Sequence, residues 1–210
     1  MSTEMIPAAG VAASAAPEAR LPTVQEYFAY DRASDVRNEY VDGVITGMAG
    51  GSPAHNRVAR NICVHLETAF GDRACESFIG DVRTRVSSTK YRYPDVVALC
   101  GEAKFDLENP PSLLNPSVIF EVLSPSTEGS DRDEKFMEYR QLETLTDYLL
   151  VAQDRVEVAH YARQSARQWV VTIYNEPQDV VALSSLDVTM TLADIYRKTV
   201  FKPDGNEAAQ

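Results

Sequence analysis

Cationic side chains are scarce: 20 Lys and Arg stand against 31 Asp and Glu in 210 residues, a formal net charge of −11. That balance excludes a generally basic surface, so contact with a phosphate backbone would need a local patch, a divalent metal or a partner. Cysteine is rarer still. Cys63, Cys75 and Cys100 are odd in number and have no metal-ligand spacing, which argues against a zinc cluster and predicts reduced thiols in a cytoplasmic protein. No histidine motif accompanies them, so nothing marks a cysteine nucleophile. Nothing approaches the ~20 consecutive apolar residues of a membrane-crossing helix. Gly-rich phosphate loops, heptads and internal repeats are missing too.

What is present is enough apolar material, 44% of the chain, for one sizeable core. Residues 1–20, rich in Ala with Pro and Ser, lack the basic start and continuous apolar stretch of a signal peptide and read as a disordered leader. Residues 21–203 are expected to form a single domain and 204–210 a disordered tail.

Within that domain, Val118-Ile119-Phe120-Glu121-Val122-Leu123 is an apolar strand set between Pro116 and Pro125, the pattern of a strand covered on both faces. Alternation puts Glu121 on the face of Ile119 and Leu123. An unpaired carboxylate there would cost several kcal/mol, so something must compensate it. A helix expected to start at Ser130, with Asp133 as a capping-box acid, carries Lys135, Tyr139 and Leu142 at i, i+4, i+7, and Lys135 at its edge can turn back toward the strand. A structural ion pair between Glu121 and Lys135 explains this spacing as well as a functional site does.

Elsewhere, Leu21 to Tyr30 reads as a short packing helix, and Asp42-Gly43 marks a tight hairpin whose first strand carries Glu39, a residue that on a half-solvated hairpin is usually surface. Ser52 as N-cap, Pro53 at the first helical position and Gly71 as terminator frame a helix of about five turns. Its apolar stripe is Val58, Ile62, Leu66 and Ala69 or Phe70, with His55 one turn earlier, where a satisfied structural histidine is the commoner finding. Ser77–Val86 and Tyr91–Leu99 read as two strands joined by a polar turn. In the second, Asp95 repeats the Glu121 anomaly, but Pro94 has no donor, so pairing should begin after it and leave Asp95 at a strand mouth. Thr146–Ala152 reads as another buried strand. Arg155–Tyr161 and Gln168–Tyr174 read as an outer antiparallel pair, Val180–Leu183 as a strand, and Leu192–Tyr196 as a last short helix.

Two carboxylates on buried strands with a reachable lysine suit phosphodiester cleavage, which needs a divalent metal, a water nucleophile and a cation to orient it. Oxygen ligands fit Mg²⁺ or Mn²⁺ better than zinc. The same residues could also form a metal-free polar knot. Glu39-Tyr40-Val41-Asp42-Gly43-Val44-Ile45, Ser52-Pro53-Ala54-His55, Tyr93-Pro94-Asp95-Val96-Val97 and Val118 to Thr127, followed by Asp131, Lys135 and Tyr139, resemble the putative restriction endonuclease family of the PD-(D/E)XK nuclease-like superfamily over roughly residues 20–200. The resemblance implies an α/β (α+β) fold: a restriction-endonuclease-like core, a mixed sheet flanked by helices, with an N-terminal β-hairpin. It also implies Mg²⁺-dependent DNA cleavage, with Asp95, Glu121 and the Val122 carbonyl on the metal. Leu123 stands where the usual lysine would be, and the resemblance moves that role to Lys135. His55 falls where many relatives carry a glutamate, Glu39 completes the pocket, and Ser124 and Asp131 shape the loop and helix start. A homodimer is expected by analogy, because cutting two strands suits two sites. A catalytically silent scaffold that binds nucleic acid or a protein is the alternative, and the acidic charge favours it.

Overall fold

The computed structural model describes residues 20–48, 50–124 and 134–201; the expected leader, the tail from 204 and the Ser130 to Asp133 helix start lie outside them. Helix α1 (Val24–Ala33) opens on a reciprocal cap, Thr23 Oγ1 accepting from the Glu26 amide at 3.3 Å while Glu26 accepts from the Thr23 amide at 2.8 Å. Strands β1 (Asn38–Val41) and β2 (Val44–Gly47) turn at Asp42 and Gly43, both at positive φ (48° and 94°), the backbone a two-residue hairpin demands. Helix α2 (Pro53–Phe70) is framed as its sequence requires: Ser52 Oγ accepts from the His55 amide at 3.1 Å and Gly71 ends it at φ 54°.

The remaining strands are β3 (Cys75–Ile79), β4 (Thr84–Ser87), β5 (Lys90–Arg92), β6 (Val96–Cys100), β7 (Val118–Leu123), β8 (Asp147–Ala152), β9 (Val158–Arg163), β10 (Trp169–Tyr174), β11 (Val180–Leu183) and β12 (Val188–Thr191). One-turn helices α3 (Phe136–Tyr139) and α4 (Leu192–Ile195) complete the described elements. A six-stranded sheet runs β10-β9-β8-β7-β6-β3, a four-stranded sheet β2-β1-β5-β4, and β11-β12 pair alone. Only β7 and β8 run parallel among the described pairs. No described helix is long and apolar enough to cross a membrane.

Strand β7 divides the core as its alternation dictates. Val118, Phe120 and Val122 face α2, whose Val58, Ile62, Leu66 and Phe70 are buried with α4 and the β11-β12 ribbon. Ile119 and Leu123 face Leu113, Tyr139, Leu145 and Tyr148 on the other side. Each such aliphatic side chain contributes about 1.5–3 kcal/mol by leaving water, so Leu66→Ala, which also leaves a cavity, would cost about 2–5 kcal/mol.

Three features depart from the sequence reading. The strand expected over Ser77–Val86 is broken at Gly80 (φ 69°), so its halves, β3 and β4, join different sheets. Tyr93-Pro94 likewise separates β5 from β6, and places Asp95 at the mouth of β6 as Pro94 predicted. Third, Cys75 and Cys100 are directly opposed in the β3-β6 register and form a disulfide, in place of the reduced thiols expected of all three cysteines; Cys63 is free.

The break between β3 and β4 carries Arg83, 1% exposed. Its guanidinium lies 4.4 Å from the Phe28 ring centre and donates to Ser112 Oγ (2.8 Å), Asp31 Oδ2 (3.2 Å) and the Pro110 carbonyl. Asp31 also accepts from the Tyr93 hydroxyl (2.6 Å) and the Asn38 amide (3.0 Å). This ion pair ties α1 and the first hairpin to the segment leading into the central sheet.

Candidate active site

The β6-β7 register pairs Val96 with Phe120; carried one residue back, it sets Asp95 across from Glu121. The Val122 amide donates to Asp95 Oδ2 at 2.7 Å, fixing one carboxylate to the backbone beside the other. Asp95 Oδ1 lies 3.2 Å from His55 Nε2 in the first turn of α2. Glu121, 4% exposed, accepts from Lys135 Nζ at 3.1 Å through one oxygen and from the Tyr139 hydroxyl at 2.9 Å through the other. The compensating lysine is where the spacing put it, although the expected helix is described only as a wide turn at Glu134–Lys135 leading into the single turn of α3.

Burial pushes the Glu121 carboxyl up to about 7, against the opposing charge of Lys135, and the negative charges of Asp95 and Glu39 push it the same way as burial. Burial would lower His55, yet its bond to Asp95, the charges of Asp95 and Glu121 and the Val122 carbonyl outweigh it and raise the imidazole. Burial and the Glu121 charge hold the Tyr139 hydroxyl well above its ordinary value, so it stays a donor. The two acids thus draw positive groups toward one spot.

Glu39 is 9% exposed, not the surface residue that half-solvated hairpins usually show. The reason is Arg92 on β5, which sequence reasoning missed. Its guanidinium donates to Glu39 Oε2 at 2.6 Å and, through Nε and Nη2, to Glu138 Oε2 at 2.9 and 2.8 Å. Lys90 adds a bond to Glu138 at 3.0 Å. Glu138 and Gln153 were missed as well; Gln153, just past β8, accepts from the Ser52 hydroxyl that caps α2. A cross-strand signal existed for one of them, since the β1-β5 register that pairs Tyr40 with Tyr91 brings Glu39 opposite Arg92.

Glu39, His55, Asp95, Glu121, Val122 and Lys135 all line one cleft of ≈ 670 Å³, with Arg92, Ser124, Glu134, Gln153 and the Gly50-Gly51-Ser52 loop on its walls. Gly51 is needed there: a Cβ would sit 2.7 Å from His55 Nδ1. Asp131 lies outside the described residues. Among those described, no three His, Cys, Asp or Glu side chains cluster closely enough to make a metal site by themselves. A metal bound here would therefore depend on two carboxylates, the Val122 carbonyl and water. That oxygen donor set fits Mg²⁺ or Mn²⁺, which take one or two carboxylates and keep several waters, and does not fit zinc.

Comparison with known proteins agrees with this architecture. A crystal structure titled as a putative nuclease belonging to DUF820 from Anabaena variabilis superposes with a TM-score of 0.67, covering 83% of this chain and 98% of that one at 15% identity, a likeness of fold. Two uncharacterized proteins of Synechocystis sp. strain PCC 6803 are similar in sequence. One is 37% identical over 154 residues (73% of this chain, 87% of the relative), the other 33% identical over 192 (88% and 97%). The model of the Uma2 family, described as putative restriction endonuclease, matches residues 24–193, and the chain belongs to that family.

Proposed function

We propose that this protein is a divalent-metal-dependent endonuclease that hydrolyses DNA phosphodiester bonds in the cleft around Glu121. The observation that carries the reading is the opposition of two acids on adjacent strands, one of them buried and raised to about 7 by burial and like charge, beside a lysine. Two acids held side by side at a cleft wall repel each other, and a divalent cation between them would offset that repulsion.

Asp95, Glu121 and the Val122 carbonyl would hold Mg²⁺ or Mn²⁺, which supplies charge to the scissile phosphate and lowers the pKa of water. The chain's own residues do the positioning. Tyr139 fixes one Glu121 oxygen and Lys135 the other, which holds the Lys135 ammonium at the cleft wall beside the acids, where it would orient the attacking water or the phosphate. His55 and the Val122 amide hold Asp95 from two sides. Arg92 keeps Glu39 aimed at the cleft.

A silent scaffold is the second reading, favoured by the net charge of −11 and by a protein partner on each of the four carboxylate oxygens. Mg²⁺ and Mn²⁺ binding by calorimetry, with plasmid and oligonucleotide cleavage, separates the two. Nuclease function predicts metal binding and turnover in the wild type, both abolished by Glu121→Ala. Equal residual cleavage in the two proteins, or tight DNA binding with neither metal nor turnover, sinks it.

A further inference from the structure

We propose that the Gly50-Gly51-Ser52 loop, the N-terminus of α2 and the Gln153 side chain together bind a backbone phosphate of the DNA strand next to the one that is cut, with Gln153 as a substrate-contacting residue. The inference rests on reading the cleft as a nuclease site and adds a second phosphate position to it. Gly50, Gly51, Ser52 and Gln153 all line the cleft that holds the two acids.

Gln153 is the observation that points to a ligand. It is 8% exposed, and one end of its amide is committed. Ser52 Oγ accepts from the His55 amide, and its hydroxyl hydrogen has no other acceptor among the described residues, so the oxygen of Gln153 must be the end that faces it. The NH₂ end then carries two N–H donors, and neither meets an acceptor among the described residues. Nor is that nitrogen sealed from water, so the opening it meets is the cleft its side chain lines. A nearly buried amide with both donors unused at a cleft wall is half of a contact whose other half is an oxygen acceptor.

The backbone beside it favours an anion. The amides of Gly50, Gly51 and Ser52 donate to no described residue. Helix α2, 18 residues long, has no acid in its first turn, whereas α1 and α4 open on Glu26 and Asp194, each accepting from its own cap residue. At that place in α2 stands His55, which turns to Asp95 instead. The positive end of the helix dipole is therefore left without an acidic cap. The two cations of the cleft are already tied to acids, Arg92 to Glu39 and Glu138, Lys135 to Glu121, so neutral donors receive this phosphate. His55 also sets its place along the strand. Its Nε2 faces Asp95 at 3.2 Å, and Gly51 closes on the Nδ1 side, where an added Cβ would fall at 2.7 Å. The imidazole stands between Asp95 and the loop, so a phosphate held by the loop and Gln153 is the neighbour of the one at the acids.

The test is steady-state cleavage of a labelled DNA oligonucleotide in Mn²⁺ by the wild type, Gln153→Glu and Gln153→Lys, repeated with a methylphosphonate replacing one phosphate at a time around the cut. Glutamate keeps an oxygen for Ser52 and loses the donors; lysine keeps a donor and offers Ser52 nothing. The expected result is a KM roughly 10–100-fold higher for Gln153→Glu with kcat changed far less, and a KM for Gln153→Lys no higher than that of the wild type. A side chain that merely braced Ser52 would show the reverse order. Neutralising one neighbouring phosphate should raise the wild-type KM and not that of Gln153→Glu. A Gln153→Glu KM equal to the wild type's, a loss in Gln153→Lys matching that in Gln153→Glu, or the same methylphosphonate profile in wild type and Gln153→Glu overturns the proposal and leaves the nuclease reading standing. A wild type that does not cut removes that reading and this one with it.

Discussion

Arg92→Met tests whether the cleft depends on the arginine that bridges its two outer acids. The Arg92, Glu39 and Glu138 side chains are 13%, 12% and 11% exposed, so the ion pairs are largely shielded from water. Removing the guanidinium leaves Glu138 with Lys90, while Glu39 keeps the Tyr93 amide at 3.3 Å. Breaking a buried pair by deleting one partner costs about 3–5 kcal/mol, and the surviving Lys90 contact and residual exposure place this case near the lower end, about 3 kcal/mol. At roughly 2–4 °C per kcal/mol for a chain of this size, the melting temperature should fall by roughly 6–12 °C. The functional effect comes through Glu138, three residues after Lys135 on the same turn. Untethering that turn lets the ammonium drift, and a misplacement of about 1 Å at a reacting centre costs about 100-fold in rate. Glu138→Gln breaks the tether without touching the inner acids and should lose cleavage with little change in metal affinity. Thermal melts and plasmid nicking assays check both variants. The reasoning fails if Arg92→Met melts within about 2 °C of wild type, or if Glu138→Gln cuts at the wild-type rate.

Three further outcomes are expected. Asp31→Asn should destabilise by about 3–5 kcal/mol in urea titration, because Arg83 would be left buried without a counter-charge, and Asp31→Asn/Arg83→Met should recover part of the loss; equal stability of single and double variants contradicts the ion-pair account. In metal-free buffer, Glu121 is raised in the fold, so its contribution is full below its ordinary value near 4.5 and lost as pH rises through about 7. The wild type minus Glu121→Gln difference should therefore shift by roughly 3 kcal/mol between pH 5 and pH 8, and Mn²⁺ should restore it; a flat difference refutes the burial argument. Gly51→Ala should drive His55 off Asp95, costing about 1–3 kcal/mol with reduced cleavage. An unmoved His55 resonance in NMR counts against it.

Local signals made the centre of this molecule readable. An acid inside an apolar strand announced Glu121, a proline ahead of another announced Asp95, and cap chemistry at Ser52 and Gly71 framed α2. What stayed hidden depends on pairing between distant segments. Arg83 collects Phe28, Asp31 and Ser112, which no window of sequence holds together. Arg92 looked like any polar strand residue until register set it across from Glu39, and Cys75 looked like a lone thiol until register set it opposite Cys100. The break at Gly80 was missed because the alternation on either side of it is good enough to read as one strand.

Because Asp95 and Glu121 meet through ladder pairing of β6 with β7, the polypeptide that joins those strands is chemically silent at its tip, where the Leu107 side chain is wholly outside the fold. A peptide tag or reporter spliced in at that point should leave the acids facing each other. A slip of one residue within either strand would instead turn a carboxylate toward α2, so tolerance to insertion and intolerance to frameshift in pairing sit side by side within one hairpin.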